Sequence, residues 1–280
     1  MRDDHETLTR LLSAVRYEVI PTATVESRVR DTVPSDVTVT VTASPTKGLE
    51  PTLDVAERLA AAGYPVVPHV AARLITGEPQ LAGIVERLVG AGVSDVFVPA
   101  GDADPPLGPY DAALPVLTAL SSLGNPFPRV GITGYPESHP SIEDDITIQS
   151  MWDKRRHATY IVSNLCFDPR VIARWVARVR RRQVSLPLYL GLAGPIDRAK
   201  LLSVATKIGV GESTRFVTRH PSWFARLAVP GGYTPDALLR NVVRALRSQD
   251  VSLTGLHIFT FNQLAETERW RQDLLARYTH

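Results

Sequence analysis

The stretch Leu81-Ala-Gly-Ile-Val-Glu-Arg-Leu-Val-Gly-Ala-Gly-Val-Ser-Asp-Val-Phe-Val98 decides the fold. Leu81, Ile84, Val85 and Leu88 recur at i, i+3, i+4 and i+7, the spacing that lines one face of an α-helix with apolar side chains. Gly90 and Gly92 end that helix, and Asp95 to Val98 has the β-branched and aromatic character of a strand. A helix turning through glycines into a strand is half of a βαβ unit, the connection that parallel strands require. The rhythm repeats upstream as a strand at Val37 to Thr42, a helix at Pro51 to Ala62 and a strand at Val66 and Val67. There Pro51 suits a first helical turn and Gly63 a C-terminal cap. Further strands are expected at Tyr17 to Ile20, Val130 to Thr133, Tyr160 to Asn164, Leu188 to Gly191 and Leu256 to Thr260. With eight such strands in all, polar residues collect just after the strands, which favours a (β/α)₈ TIM-type barrel over a doubly wound open sheet.

Composition limits what such a barrel binds. The 280 residues are 44% hydrophobic, enough for one sizeable core, and no composition shift divides residues 1–280 into more than a single domain. A helical insertion beside the barrel is expected near 209–233, a segment too long for one loop that contains Pro221, Trp223 and Phe224. Lysine plus arginine number 31 against 29 acids, a balance that argues against nucleic acid or an anionic membrane as partner. Small molecules are the expected partners. The run Arg174, Arg178 and Arg180 to Arg182 reads as the solvated, dipole-complementing end of a helix. Cys166 is the only cysteine, so neither an internal disulfide nor a thiolate-rich metal site is expected. The acidic start, Met1 to Leu12, lacks the apolar core of a signal peptide, and a cytoplasmic protein is expected.

The C-terminal strand ends, where barrel enzymes carry their chemistry, hold Glu18, Thr42, His69, Asp102, Tyr135, Asn164, Thr260 and Asn262. Glu18 sits between apolar residues that would desolvate it and raise its pKa toward a general acid; a carboxylate paired with arginine is the competing reading. Asp102 lies in a Gly101-Asp-Ala-Asp-Pro-Pro106 turn, where backbone capping competes with a functional role. His69 has no second ligand at metal spacing, and no metal is expected. Tyr135 and His139, in Gly134-Tyr-Pro-Glu-Ser-His-Pro140, are able to stack on a flat heterocycle or simply to pack a Pro-rich turn. Gly191 to Pro195 resembles an anion-binding strand-to-helix turn but matches neither phosphate-binding glycine pattern.

Taken in order, several segments resemble the methylenetetrahydrofolate reductase family from about Tyr17 to Arg271. They are Glu50 to Leu59, Pro68-His69, Gly101-Asp102, Tyr135 to Pro140, Phe167-Asp168 and His257-Ile-Phe-Thr-Phe-Asn262. The resemblance implies reduction of 5,10-methylenetetrahydrofolate to 5-methyltetrahydrofolate, a step of one-carbon metabolism. It implies Glu18 as proton donor when the folate's five-membered ring opens, and Asp102 as the partner of the pterin. Asn164 stands where the family has a glutamine on the pterin's amide edge, with the same donor and acceptor groups on a shorter side chain. Thr260 and Asn262 are the remaining candidate substrate contacts.

The departures from the family concentrate on its flavin. Ala100 replaces an arginine before the Gly-Asp pair, and the helix that presents Asp, Asn and an Arg-Lys pair to FAD offers Ile146, Gln149, Trp152 and Asp153 instead; a one-residue shift would bring in Lys154. Flavin is therefore expected to be absent, with NADH or NADPH as a co-substrate passing hydride directly to the folate. The cofactor-binding candidates are Thr42 and His69, which match flavin contacts in the family, with Tyr135 and His139. An ordinary FAD-dependent reductase is one alternative. A folate-binding protein without catalysis, suggested by Asn164 and Arg198, is another.

Overall fold

The computed structural model describes residues 2–136, 144–196, 235–247 and 253–279. The Gly209 to Tyr233 segment, Arg198 and His139 fall outside the described residues. Eight parallel strands form one sheet: β1 (Val15–Val19), β2 (Thr38–Val41), β3 (Val66–Pro68), β4 (Asp95–Phe97), β5 (Arg129–Gly134), β6 (Tyr160–Ser163), β7 (Leu188–Ala193) and β8 (Gly255–Phe259). Their order is β3-β2-β1-β8-β7-β6-β5-β4. The two ends of that order meet through a parallel bridge between His69 and Phe97, with the Val70 N–H donating to the Phe97 carbonyl at 2.8 Å. The barrel thus closes at the β3–β4 seam, and the expected (β/α)₈ architecture is the observed one.

Nine α-helices are present among the described residues: α1 (Arg2–Ser13), α2 (Val25–Thr32), α3 (Glu50–Ala61), α4 (Glu78–Gly90), α5 (Ala113–Ser122), α6 (Asp144–Lys154), α7 (Pro169–Arg181), α8 (Pro235–Arg247) and α9 (Leu264–Thr279). The decisive stretch folds as its spacing dictates. Leu81, Ile84 and Leu88 of α4 are buried, Gly92 takes a left-handed φ of +78° after the helix, and β4 follows. Pro51 lies in the first turn of α3, and Gly63 (φ +88°) follows its end. Asp168 caps α7 by accepting from the Arg170 N–H at 2.8 Å. The first helix, α1, is an addition that strand-centred reading does not find. Leu8, Leu11 and Leu12 are buried on one face, and it packs against α8 and α9.

Alternation along each strand sorts side chains between two cores. Outward residues such as Val39, Val41, Ile132 and Leu190 join the helices in the large apolar layer. Inward residues fill the barrel. At its floor Arg16 is stacked over the rings of Tyr160 and Tyr189, 4.3 and 4.0 Å from their centroids, and pairs with Asp95 at 3.1 Å. The Tyr160 hydroxyl donates to the same carboxylate at 2.7 Å, and Arg129 joins from the rim at 3.1 Å. Two glycines make room for these rings: a Cβ at Gly131 would collide with the ring of Tyr160, and one at Gly255 with Tyr189 and the Ala14 carbonyl.

Candidate functional site

Above that floor, at the C-terminal ends of the strands, β1 raises Glu18 into the barrel mouth. Glu18 stands level with Thr40 on β2 and Phe259 on β8. Its Oε2 is 3.1 Å from His257 Nε2 and 3.7 Å from His69 Nε2. The two imidazoles are almost wholly buried, with side chains 3% and 7% exposed, whereas the Glu18 side chain retains 17%. Among the described residues Oε1 has no hydrogen-bond partner, so one oxygen is held by the wall and the other is left toward solvent. The His69 ring packs against Phe97 at 4.8 Å, and His257 edge-on against Phe259 at 4.8 Å.

This geometry corrects the electrostatics expected from the local sequence. Burial pushes the Glu18 carboxyl up, but the His257 hydrogen bond and the charge that His69 and His257 are able to carry outweigh it, and the net direction is downward. The apolar neighbours Tyr17 and Val19 face outward and do not decide Glu18's environment. Nor does it pair with an arginine; Arg16, one strand repeat below, is committed to Asp95. Burial lowers His69 to about 4 despite the opposing attraction of Glu18, so its ring is neutral at pH 7.

The remaining candidates surround this centre unevenly. Thr42 is half-buried at the end of β2, its N–H bonded to the Val19 carbonyl and its own carbonyl to Thr52 Oγ1 of α3. Asp102 is exposed on the turn after β4. It lies near enough to Tyr135 to help raise that phenol, though burial of the ring is the larger cause. The turn itself is held by Arg73, whose Nε donates to the Ala103 carbonyl at 2.6 Å and whose NH2 reaches Asp104 at 3.2 Å. Gly101 permits its left-handed φ of +87°. Asn164 turns its amide oxygen back to the Leu165 N–H at 2.8 Å, leaving its NH₂ as the group it has to offer a ligand.

Thr260 and Asn262 have structural work in the rim. Thr260 Oγ1 donates to the Glu18 carbonyl at 2.6 Å. Asn262 brackets the Ile20 peptide, accepting from its N–H at 2.8 Å and donating to its carbonyl at 3.0 Å. These bonds fasten the loop after β8 to the end of β1. Phe261 and Asn262 both adopt left-handed φ values, +49° and +58°, a conformation uncommon for phenylalanine. Phe261 joins Phe167, Phe259, Leu165 and Ala193 in an apolar wall over β6 to β8. The wall over β6 to β8 is thus mainly aromatic, with His257 and Asn164 its polar members, and faces Glu18, Thr42 and His69 on the β1 to β3 side. Among the described residues no cluster of three or more His, Cys, Asp or Glu side chains is arranged to hold a metal ion.

His257 and the aromatic wall are the site features that reading strand ends alone passes over. Their signal was present: alternation on β8 turns His257 inward, and closure of an eight-stranded barrel sets β8 beside β1.

No protein-family model matches the chain. Several solved structures share its fold. An uncharacterised protein from Clostridium thermocellum, described as binding two copies of 5-methyl-5,6,7,8-tetrahydrofolic acid, matches with a TM-score of 0.66 at 8% identity, covering 99% of this chain and 100% of that one. A GH18 chitinase from Pseudoalteromonas aurantia matches at 0.55 and 10% identity over 93% of this chain and 99% of that one. A 2,3-dimethylmalate lyase of the PEP mutase/isocitrate lyase superfamily matches at 0.53 and 12% identity over 99% and 84%. At these identities the likeness is one of fold: the chain is a (β/α)₈ barrel. No described helix is long and apolar enough to cross a membrane.

Proposed function

We propose that this barrel reduces a methylenetetrahydrofolate to the methyl form, taking hydride directly from NADH or NADPH without a resident flavin. The observation that carries the reading is Glu18, a carboxyl held by one oxygen in the floor of the mouth with the other oxygen free, facing an aromatic wall suited to a flat heterocycle. The folate-binding description of the Clostridium thermocellum barrel supports the substrate class.

Each turnover needs one proton and one hydride. Glu18 gives its proton to the amine nitrogen as the C–N bond of the five-membered ring breaks. The methylene carbon, left as an iminium, accepts hydride from C4 of the reduced nicotinamide, which leaves oxidised. A bound ring displaces water from Oε1 and so strengthens the burial that raises this carboxyl. Asp102 and the Asn164 NH₂ are placed in this scheme on the pterin, with Thr42, His69 and Tyr135 on the nicotinamide.

A flavin does not suit the residues at its family positions. Ala100 offers no cation, and Arg73, bonded through its N–H to the Ala100 carbonyl, turns its guanidinium to Ala103 and Asp104. On α6, Gln149 donates to Asp153 at 2.9 Å and Trp152 packs on the core beneath the Arg155 guanidinium. Lys154 is at the last turn of α6, the end away from the mouth, its amine pushed down to about 8 by burial with Asp153 opposing.

The test is anaerobic oxidation of NADH and NADPH with methylenetetrahydrofolate, with and without added FAD. Turnover independent of FAD and an intersecting initial-rate pattern are expected, because both substrates must be held together. Glu18→Gln should reduce turnover about a hundredfold while folate still binds. Parallel reciprocal plots that require FAD would restore a flavin enzyme. The turned-back Asn164 oxygen favours a second reading, a folate carrier without turnover; tight folate binding with no nicotinamide oxidation would establish it.

A further inference from the structure

We propose that His257 is the positioning residue for Glu18, dictating that the acid proton resides on Oε1, the oxygen that meets the substrate. This rests on the reading of Glu18 as the acid. A carboxylate is only able to accept, so the ring nitrogen 3.1 Å from Oε2 carries a hydrogen; His257 is the Nε2–H tautomer. An oxygen already receiving that hydrogen has no room to present its own along the same line. When Glu18 takes up a proton, it therefore resides on Oε1, aimed at the mouth. His257 Nδ1 is left as a buried lone pair with no partner among the described residues.

Three features show that the arrangement is built rather than incidental. The ring is fixed on one side by Phe259, packed edge-on at 4.8 Å, so it does not swing away from Glu18. The Glu18 backbone is fixed independently by Thr260 Oγ1 at 2.6 Å. The same Glu18 oxygen also has His69 Nε2 3.7 Å away, a buried nitrogen with no hydrogen-bond partner of its own among the described residues, so both imidazoles converge on Oε2 and none on Oε1. The groups facing Glu18 are then His257 from β8 and His69 just after β3, with Arg16 and Asp95 locked together below.

The experiment compares His257→Leu, which removes the donor, with His257→Gln, whose side-chain NH₂ is able to restore it. Losing a hydrogen bond to the ionised form raises Glu18's pKa, so the limb of kcat that falls with rising pH should move upward by about one pH unit in His257→Leu. With the proton free to sit on either oxygen, kcat should drop about tenfold while KM stays within a few-fold. His257→Gln should return both toward wild type. A second readout needs no turnover: the ¹³C shift of the Glu18 side-chain carboxyl, assigned by its loss in Glu18→Gln, titrates in each variant. It should move upward in His257→Leu and back in His257→Gln. An unmoved titration overturns the role of His257 whatever the enzyme does. A moved titration in a protein without reductase turnover overturns the reductase reading and leaves the pairing standing. If His257→Leu does not fold, His257→Met, similar in volume and without a donor, carries the same comparison.

Discussion

Two polar layers lie inside this barrel, one strand repeat apart, and they are built in opposite ways. At the floor, Arg16, Asp95, Arg129, Tyr160 and Tyr189 bind one another: two guanidiniums on one carboxylate, a phenol on its other oxygen, and the Arg129 NH2 on the Tyr189 hydroxyl at 3.0 Å, while Arg16 NH1, without a hydrogen-bond partner, belongs to a guanidinium stacked on two tyrosine rings. At the mouth, Glu18 keeps one oxygen free, and His69 and His257 each bury a nitrogen without a partner. A network whose one carboxylate is bound on both oxygens rigidifies, whereas a carboxylate with one oxygen left open keeps hydrogen-bonding capacity for a ligand. The contrast separates scaffold from site more sharply than residue type does, since both layers are rich in ionisable groups.

The largest expected effect tests the floor. Asp95→Asn keeps the shape but leaves Arg16 buried without its counter-charge, which should cost about 3 to 5 kcal/mol in chemical denaturation. Folate affinity of the folded variant should stay within a few-fold of wild type. A loss below about 1 kcal/mol would mean that the floor is not a coupled network. A smaller effect belongs to the mouth. His69 titrates near 4 in the folded chain against an ordinary value of 6.5, with Glu18 and His257 facing it. Between those values the unfolded chain binds more protons, so stability rises with pH across the window and is lost as pH falls toward 4. The gap corresponds to roughly 3 kcal/mol. His69→Gln should flatten the dependence of stability on pH between 6.5 and 4; an unchanged slope would assign it to other groups.

The smallest effect concerns the rim. Asn262→Gly removes both side-chain bonds to Ile20 while tolerating the left-handed φ, and should destabilise by about 1 to 2 kcal/mol. If folate affinity falls by more than stability does, Asn262 contacts the ligand as well as fastening β8 to β1.

Most of the architecture was legible because it is local. The apolar stripe of α4, the proline and glycine that begin and end α3, and the β-branched runs of the strands each report their own conformation within a few residues. Alternation along β1 and β8 also marks Glu18 and His257 as lying on the same kind of face.

What local pattern did not contain was who meets whom across the barrel. Tyr17 and Val19 suggested an apolar pocket for Glu18, yet a strand sends neighbours in sequence to the opposite face, and residues 51 and 239 positions away supply its surroundings instead. The same holds for Thr260 and Asn262. Their composition suits a ligand, but the closure of β8 on β1 gives their hydrogen bonds to the backbone of Glu18 and Ile20. Sequence determined the eight strands, the inward set of side chains and the end of the barrel that carries chemistry. Only the tertiary structure decided the charge state of Glu18 and which polar groups remain open, because both depend on burial and on partners brought together by barrel closure.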